Sequence, residues 1–189
     1  MSTPPIHDSQ IDFTSPDALD AQGPGPEQVE SARMEAEVGW QQLQANGSYV
    51  AIARRSRSKI PPRNARQFVV LVVEDDADLA QLLIDVFMIA TFEVRWASNR
   101  SEINAELRRG AEVDVVLLDI ELPDANGLQV LRRIREHPEF ARLPVIMMTG
   151  KAAASDIQAG LTARADGYVT KPFKISGLMK AVNLVLGNA

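Results

Sequence analysis

No cysteine occurs in the 189 residues, which excludes disulfides, thiolate metal sites and thiol nucleophiles. Histidine is almost as scarce: His7 and His137 are the two copies, one in a polar head and one before Pro138, and both are read as ordinary surface residues. No apolar run approaches the roughly 18 residues that a bilayer crossing requires. The N-terminus is polar, proline-bearing and acidic, unlike a leader of basic then apolar character. A cytoplasmic setting with no membrane partner is the expectation. What remains is 46% apolar and 24% charged, the balance of an ordinary globular protein, with length for one good core and an appendage.

Charge is unevenly placed. Residues 54–66 hold Arg54, Arg55, Arg57, Lys59, Arg63 and Arg66 without an acid, whereas residues 67–189 carry 17 Asp or Glu against 13 Lys or Arg. An acidic domain of this kind disfavours broad nucleic-acid contact. Residues 1–26, rich in Pro, Gly, Ser and Asp, read as a disordered head. From Glu27 to about Ala45, Val29, Ala32, Ala36, Gly39 and Leu43 recur at helical spacing beside Trp40. Two heptads with Ala and Gly in core positions make a marginal helix that docks or frays; a homodimer or partner contact through Trp40 is the alternative. Asn46-Gly47 is a turn signal, and Ser48 to Ala53 fits a short strand or extended peptide. Residues 27–53 thus form a helical or extended interaction segment, and residues 54–66 a basic linker.

Beyond Gln67 the pattern alternates. Phe68 to Val73, Val113 to Leu118, Val145 to Met148 and Tyr168 to Thr170 are short, uninterrupted apolar runs, and Phe92 to Trp96 alternates apolar and polar as an edge strand does. Helical stretches follow: Asp76 to Ala90, Asn99 to about Arg109, Leu128 to Glu136, Lys151 to Leu161 and Ile175 to Leu186. Asn99 and Glu102 have the spacing of a capping box. Five strand-helix units predict an α/β domain with a five-stranded parallel sheet and five helices over residues 67–189.

The runs end in polar residues: Glu74, Asp75 and Asp76 after the first, then Asp119, Thr149 and Lys171. In open parallel sheets the ligand site lies beyond the carboxyl ends of the strands, so these groups would meet. Like charges ~4 Å apart repel by about 4 kcal/mol at an effective dielectric of 20, so Glu74, Asp75 and Asp119 need compensation. All-oxygen ligation points to Mg²⁺ or Mn²⁺, with Mg²⁺ the commoner where phosphate is handled. Lys171 adds a point charge and Thr149 a neutral hydroxyl, so a carboxylate here is equipped to attack phosphorus. Taken singly, the acidic run reads equally as a helix cap and the lone Asp as turn chemistry; the conjunction of four elements points to a site.

The stretches Val70-Leu71-Val72-Val73-Glu74-Asp75-Asp76, Val116 to Gly127, Leu143 to Gly150 and Ala165 to Phe173 together resemble the receiver domain of two-component response regulators, over Phe68 to Gly187. That resemblance implies a flavodoxin-like fold with strand order 2-1-3-4-5. It implies Asp119 as phosphoacceptor for a histidine of a sensor kinase or phosphotransfer protein, with the chain itself not an enzyme acting on other substrates. It further implies Mg²⁺ held by Asp75 and Asp119 directly, by Glu74 through water and by the Glu121 carbonyl. Thr149 and Lys171 would contact phosphoryl oxygens, Tyr168 would be an aromatic switch, and the Lys171-Pro172 bond would be cis. Output would leave through the fourth helix, fifth strand and fifth helix of the domain toward a downstream protein. Leu122 and Gly150 stand where the family favours Met and Ala, and Glu121 and Lys151 occupy variable flanking positions.

Only two residues follow Gly187, so a stand-alone regulator is expected. A DNA-bound regulator using Arg54 to Arg66 is one alternative. A haloacid-dehalogenase-type phosphatase is another, weakened by Glu121, since that chemistry wants an Asp two positions after the nucleophile.

Overall fold

The computed structural model describes Glu27, Glu30, Met34 and residues 50–53, 60–63, 66–108, 112–150 and 154–188. Strands are β1 (Val50–Ile52), β2 (Val69–Val73), β3 (Glu93–Ala97), β4 (Val115–Asp119), β5 (Val145–Thr149) and β6 (Gly167–Thr170). Helices are α1 (Ala77–Ile89), α2 (Arg100–Arg108), α3 (Gly127–Glu136), α4 (Ala154–Thr162) and α5 (Ile175–Leu186). The sheet order is β1-β6-β5-β4-β2-β3. Every pairing is parallel except β1 with β6, which is antiparallel.

The expected five-stranded parallel sheet is therefore corrected to six strands. The five parallel strands β2 to β6 keep the expected order, and β1 is added outside β6. Three residues are too short for an alternation signal, and β1 exists because the β6 edge offers unpaired backbone groups to satisfy.

β2, β4 and β5 are buried along their whole length, as β-branched and leucine-rich runs covered on both faces should be. Alternation splits their side chains between two cores. Leu71, Val73, Leu118 and Met147 pack with Ile103, Leu131, Ile134 and Ile157 on the α2, α3 and α4 side. Val70, Val72, Leu117 and Met148 pack with Leu83, Phe87, Leu178 and Val182 on the α1 and α5 side. Each such buried side chain contributes about 1.5–3 kcal/mol. Helix starts follow the polar signals. Asp76 caps α1 by accepting from the Asp78 and Leu79 amides, and Asn126 caps α3 by accepting from Leu128. The predicted box at α2 is shifted by one residue. Asn99 Oδ1 accepts from the Glu102 amide, but the Glu102 carboxylate accepts from the amide of Ser98.

Of the N-terminal segment, Glu27, Glu30 and Met34 are helical and exposed. The seam residues Val29, Ala32, Ala36, Gly39 and Leu43, Trp40 and the basic residues Arg54 to Lys59 lie outside the described residues, as does Lys151.

Asp114 fastens the lower end of the sheet. Its buried carboxylate accepts from the Val69 amide at 2.8 Å and the Arg63 amide at 2.9 Å, tying the linker to β2 and β4. Asp114→Ala leaves the buried Val69 amide unpaired and should cost about 1–3 kcal/mol, read as a lower urea midpoint at unchanged slope. Burial raises the Asp114 pKa against the two amide bonds, so the folded state holds this proton more tightly than the unfolded chain. Wild-type stability should accordingly carry a component that is lost as pH rises from the ordinary carboxylate range through the raised value, and Asp114→Ala should lack it.

Candidate functional site

Four strands deliver residues at or just beyond their carboxyl ends to one edge. Glu74 and Asp75 follow β2, Asp119 ends β4, and Thr149 ends β5. Lys171 follows β6, where the Thr149↔Thr170 register sets it beside Thr149, and its amide donates to the Thr149 carbonyl at 2.6 Å. The Lys171-Pro172 bond is cis. Asp76, the third acid of the run, is committed to capping α1, which leaves Glu74 and Asp75 for the edge. The capping reading of the Glu-Asp-Asp run is thus realised by its third member.

The Lys171 ammonium donates to Asp119 Oδ2 at 2.6 Å and to both Glu74 carboxylate oxygens at 2.9 and 2.7 Å. Glu74 is 1% exposed and Asp119 4%, so two nearly dry carboxylates share one cation. Burial raises the Glu74 pKa to about 6, against the opposing pull of Lys171, with the Asp119 charge adding to the rise. For Lys171, burial works to lower the pKa, but the hydrogen bonds and charges of Asp119 and Glu74 overcome it and hold the ammonium's pKa raised. Carboxylate oxygens of Glu74, Asp75 and Asp119 lie within 4.8 Å of one another, with Asp75 exposed. A hard divalent cation fits this donor set: all oxygen, crowded, and open toward solvent on the Asp75 side.

Glu121 is exposed. Its amide donates to Asp119 Oδ1 at 3.1 Å, and its bridge to Asn126 closes the loop below α3. The loop is held from outside by Asp124, which accepts from the Arg100 amide and, through its carbonyl, from the Arg100 guanidinium at 2.6 Å. Trp96 on β3 donates its indole N–H to the Glu74 carbonyl at 2.9 Å. The sequence reading missed Asp124, Arg100 and Trp96 as supports, because each acts across elements with no local spacing to mark it.

Thr149 is fully buried. Tyr168 is also fully buried, with its side chain turned inward among Met147, Ile157 and Leu161. A Cβ at Gly160 in α4 would lie 2.8 Å from two carbons of the Tyr168 ring, so the missing side chain is the space that the ring occupies. Gly160→Ala should push the ring toward solvent and destabilise the fold by about 1–3 kcal/mol. The check is the ¹³C-tyrosine spectrum in a Tyr49→Phe background; an unmoved Tyr168 resonance refutes the packing argument.

The model of the response regulator receiver domain matches residues 70–183, more than half of the chain. Among curated relatives, the phosphate regulon transcriptional regulatory protein PhoB of Rhizobium meliloti is 37% identical over 120 residues, covering 64% of this chain and 52% of that protein. The DNA-binding response regulator MtrA of Mycobacterium leprae is 35% identical over 113 residues, covering 60% and 48%. The chain therefore spans about half the length of the curated relatives it matches. Among solved structures, the Vibrio cholerae chemotaxis protein CheY4 aligns with a TM-score of 0.60 at 26% identity, over 64% of this chain and 99% of that one. The non-phosphorylated HemR receiver domain of Leptospira biflexa aligns at 0.58 with 29% identity, over 64% and 94%. Among the described residues no helix is long and apolar enough to cross a membrane. Fold, ordered motifs and family match agree, and the chain belongs to the response regulator receiver domain family.

Proposed function

We propose that the chain accepts a phosphoryl group on Asp119 from a phosphohistidine of a sensor histidine kinase or histidine phosphotransfer protein. The observation that carries this reading is the Lys171 ammonium set 2.6 Å from Asp119 Oδ2 beside the Glu74, Asp75 and Asp119 cluster. An Asp119 carboxylate oxygen attacks phosphorus, and an O–P bond forms as the donor's N–P bond breaks. The electron pair of that bond stays on the imidazole, which leaves neutral when its other nitrogen is protonated. Lys171 transfers its contacts from the carboxylates to phosphoryl oxygens, where its charge stabilises the transferring group. The Thr149 hydroxyl donates to another of those oxygens.

Asp75 and Asp119 would hold Mg²⁺ directly, Glu121 through its backbone carbonyl and Glu74 through water; Mn²⁺ suits the same donors. When bound, the cation supplies positive charge against the phosphoryl oxygens and offsets the crowded carboxylates. Signalling follows from a Thr149/Tyr168 switch, in which Thr149 draws toward the phosphoryl group and Tyr168 turns to the inward place, read by a downstream protein at the face of α4, β6 and α5. The chain acts on itself only, transferring the group to its own aspartate and losing it there. A cytoplasmic location belongs to the same reading. The haloacid-dehalogenase alternative has no support once the family is known, and the basic cluster of the DNA-bound alternative falls largely outside the described residues.

Acetyl phosphate or phosphoramidate with Mg²⁺ should label the wild type, whereas Asp119→Asn should take no label at that position. Lys171→Met should keep the site but slow labelling by on the order of 100-fold. Intact-protein mass spectrometry reads both, and equal labelling of the Asp119→Asn protein defeats the proposal.

A further inference from the structure

The strand outside the matched family segment supplies the inference. β1 precedes residue 70, where the receiver match begins, and it lies antiparallel on β6 with Val50 opposite Val169, Ala51 opposite Tyr168 and Ile52 opposite Gly167. Its side chains divide as the sheet requires. Val50 and Ile52 pack into the core beneath α1 and α5, while Ala51, 7% exposed, joins the core beneath α4 together with Tyr168. The small middle residue is set by that neighbour, since the side chain directly across the ladder is the buried tyrosine. Gly167 completes the fit: a Cβ there would stand 3.2 Å from the Ala51 carbonyl and 3.3 Å from Ile52 Cδ1. The strap continues through the Ala53 amide on the Asp166 carbonyl, the Ile60 amide on the Leu186 carbonyl and the Arg63 amide on Asp114.

A three-residue strand holds few ladder bonds, and such elements open at low free energy. The edge beneath it, Gly167–Thr170, would then present unpaired N–H and C=O groups between α4 and α5. We propose that the β6 edge is a strand-accepting surface, that Val50–Ile52 is its exchangeable occupant in cis, and that its fitting partner is an extended protein segment of β-branched, small, β-branched sequence adding antiparallel. Because β6 also carries Tyr168 and leads into Lys171, the strap closes the edge of the strand that borders the phosphoryl site. The tether gives the cis strand an effective concentration in the millimolar range, so a segment in trans gains the edge only when the cis strand is unseated. The proposal concerns backbone pairing and stands or falls separately from the phosphoryl chemistry.

The test uses the full chain and, as probe, a fluorescein-labelled peptide of residues 48–54. Ala51→Pro removes the middle N–H and unseats the strap. Val50→Cys with Val169→Cys locks it, because opposed antiparallel residues lie within disulfide reach and the chain has no other cysteine. The Ala51→Pro protein should bind the peptide at least tenfold more tightly than the oxidised lock, and reduction should return the lock to wild-type binding. A folded Ala51→Pro protein that ignores the peptide, or an oxidised lock that binds it equally well, overturns the proposal. Should Ala51→Pro lose its circular dichroism, hydrogen exchange at Val50–Ala53 and Gly167–Thr170 decides: slower exchange in the oxidised lock than in wild type supports the exchangeable strap, and equal exchange overturns it.

Discussion

One ammonium group between two buried carboxylates governs this molecule. Glu74 and Asp119 are all but removed from water, and two such charges side by side are costly unless a cation meets them. Lys171 meets both at once. That arrangement requires three strand ends to be level, because the acids follow β2 and end β4 while the lysine follows β6. The mutually parallel strands β2 to β6 all leave at the same edge and satisfy the requirement, and the doubly covered β2, β4, β5 and β6 keep that edge rigid.

The surroundings of the edge are built to the same end. Asp76 is withdrawn into the α1 cap, so the local charge is smaller than the Glu-Asp-Asp run suggests. The Glu74 backbone is held by its own amide on the Ala97 carbonyl and by the Trp96 indole on its carbonyl. The Asp119 loop is held by Glu121 from within and by the Arg100 and Asp124 pair from without. Of the three clustered acids Glu74, Asp75 and Asp119, only Asp75 faces water, which leaves the cluster open on that side. Geometry fixed on strand ends and supported across elements is what a reaction needs when positioning and charge supply most of the acceleration.

How far the sequence discloses this depends on range. The runs Phe68 to Val73 and Val145 to Met148 end at polar residues, and that junction is local, so the strand ends and their cargo were readable from spacing alone. Helix limits were readable where a cap or a breaker marks them: Asp76, Asn126 and Gly187 stand at the ends of α1, α3 and α5. β1 was visible only as a short strand or extended peptide, because three residues show no period and its reason for existing is the β6 edge more than a hundred residues away. Trp96, Asp124 and Gly160 stayed hidden for the same reason. An exposed edge tryptophan, a loop aspartate and a helical glycine gain meaning only when another element comes to lie against them.

β6 is where these constraints converge. Toward β5 its register sets Met147 against Tyr168 and Thr149 against Thr170; toward β1 the same Tyr168 is paired with Ala51. Tyr168 is bounded on three sides: α4 meets the ring at Gly160, β5 lies along one edge and β1 along the other. On the proposed reading, a shift of Thr149 toward a group on Asp119 would bear on a strand whose far edge is closed by only three residues. β2, β4, β5 and β6 are each buried along their length, so on this side of the sheet the β1 and β6 ladder is the outermost boundary. The strand that completes the charge balance at one end is therefore also the strand through which movement at that end can reach the outer edge of the sheet.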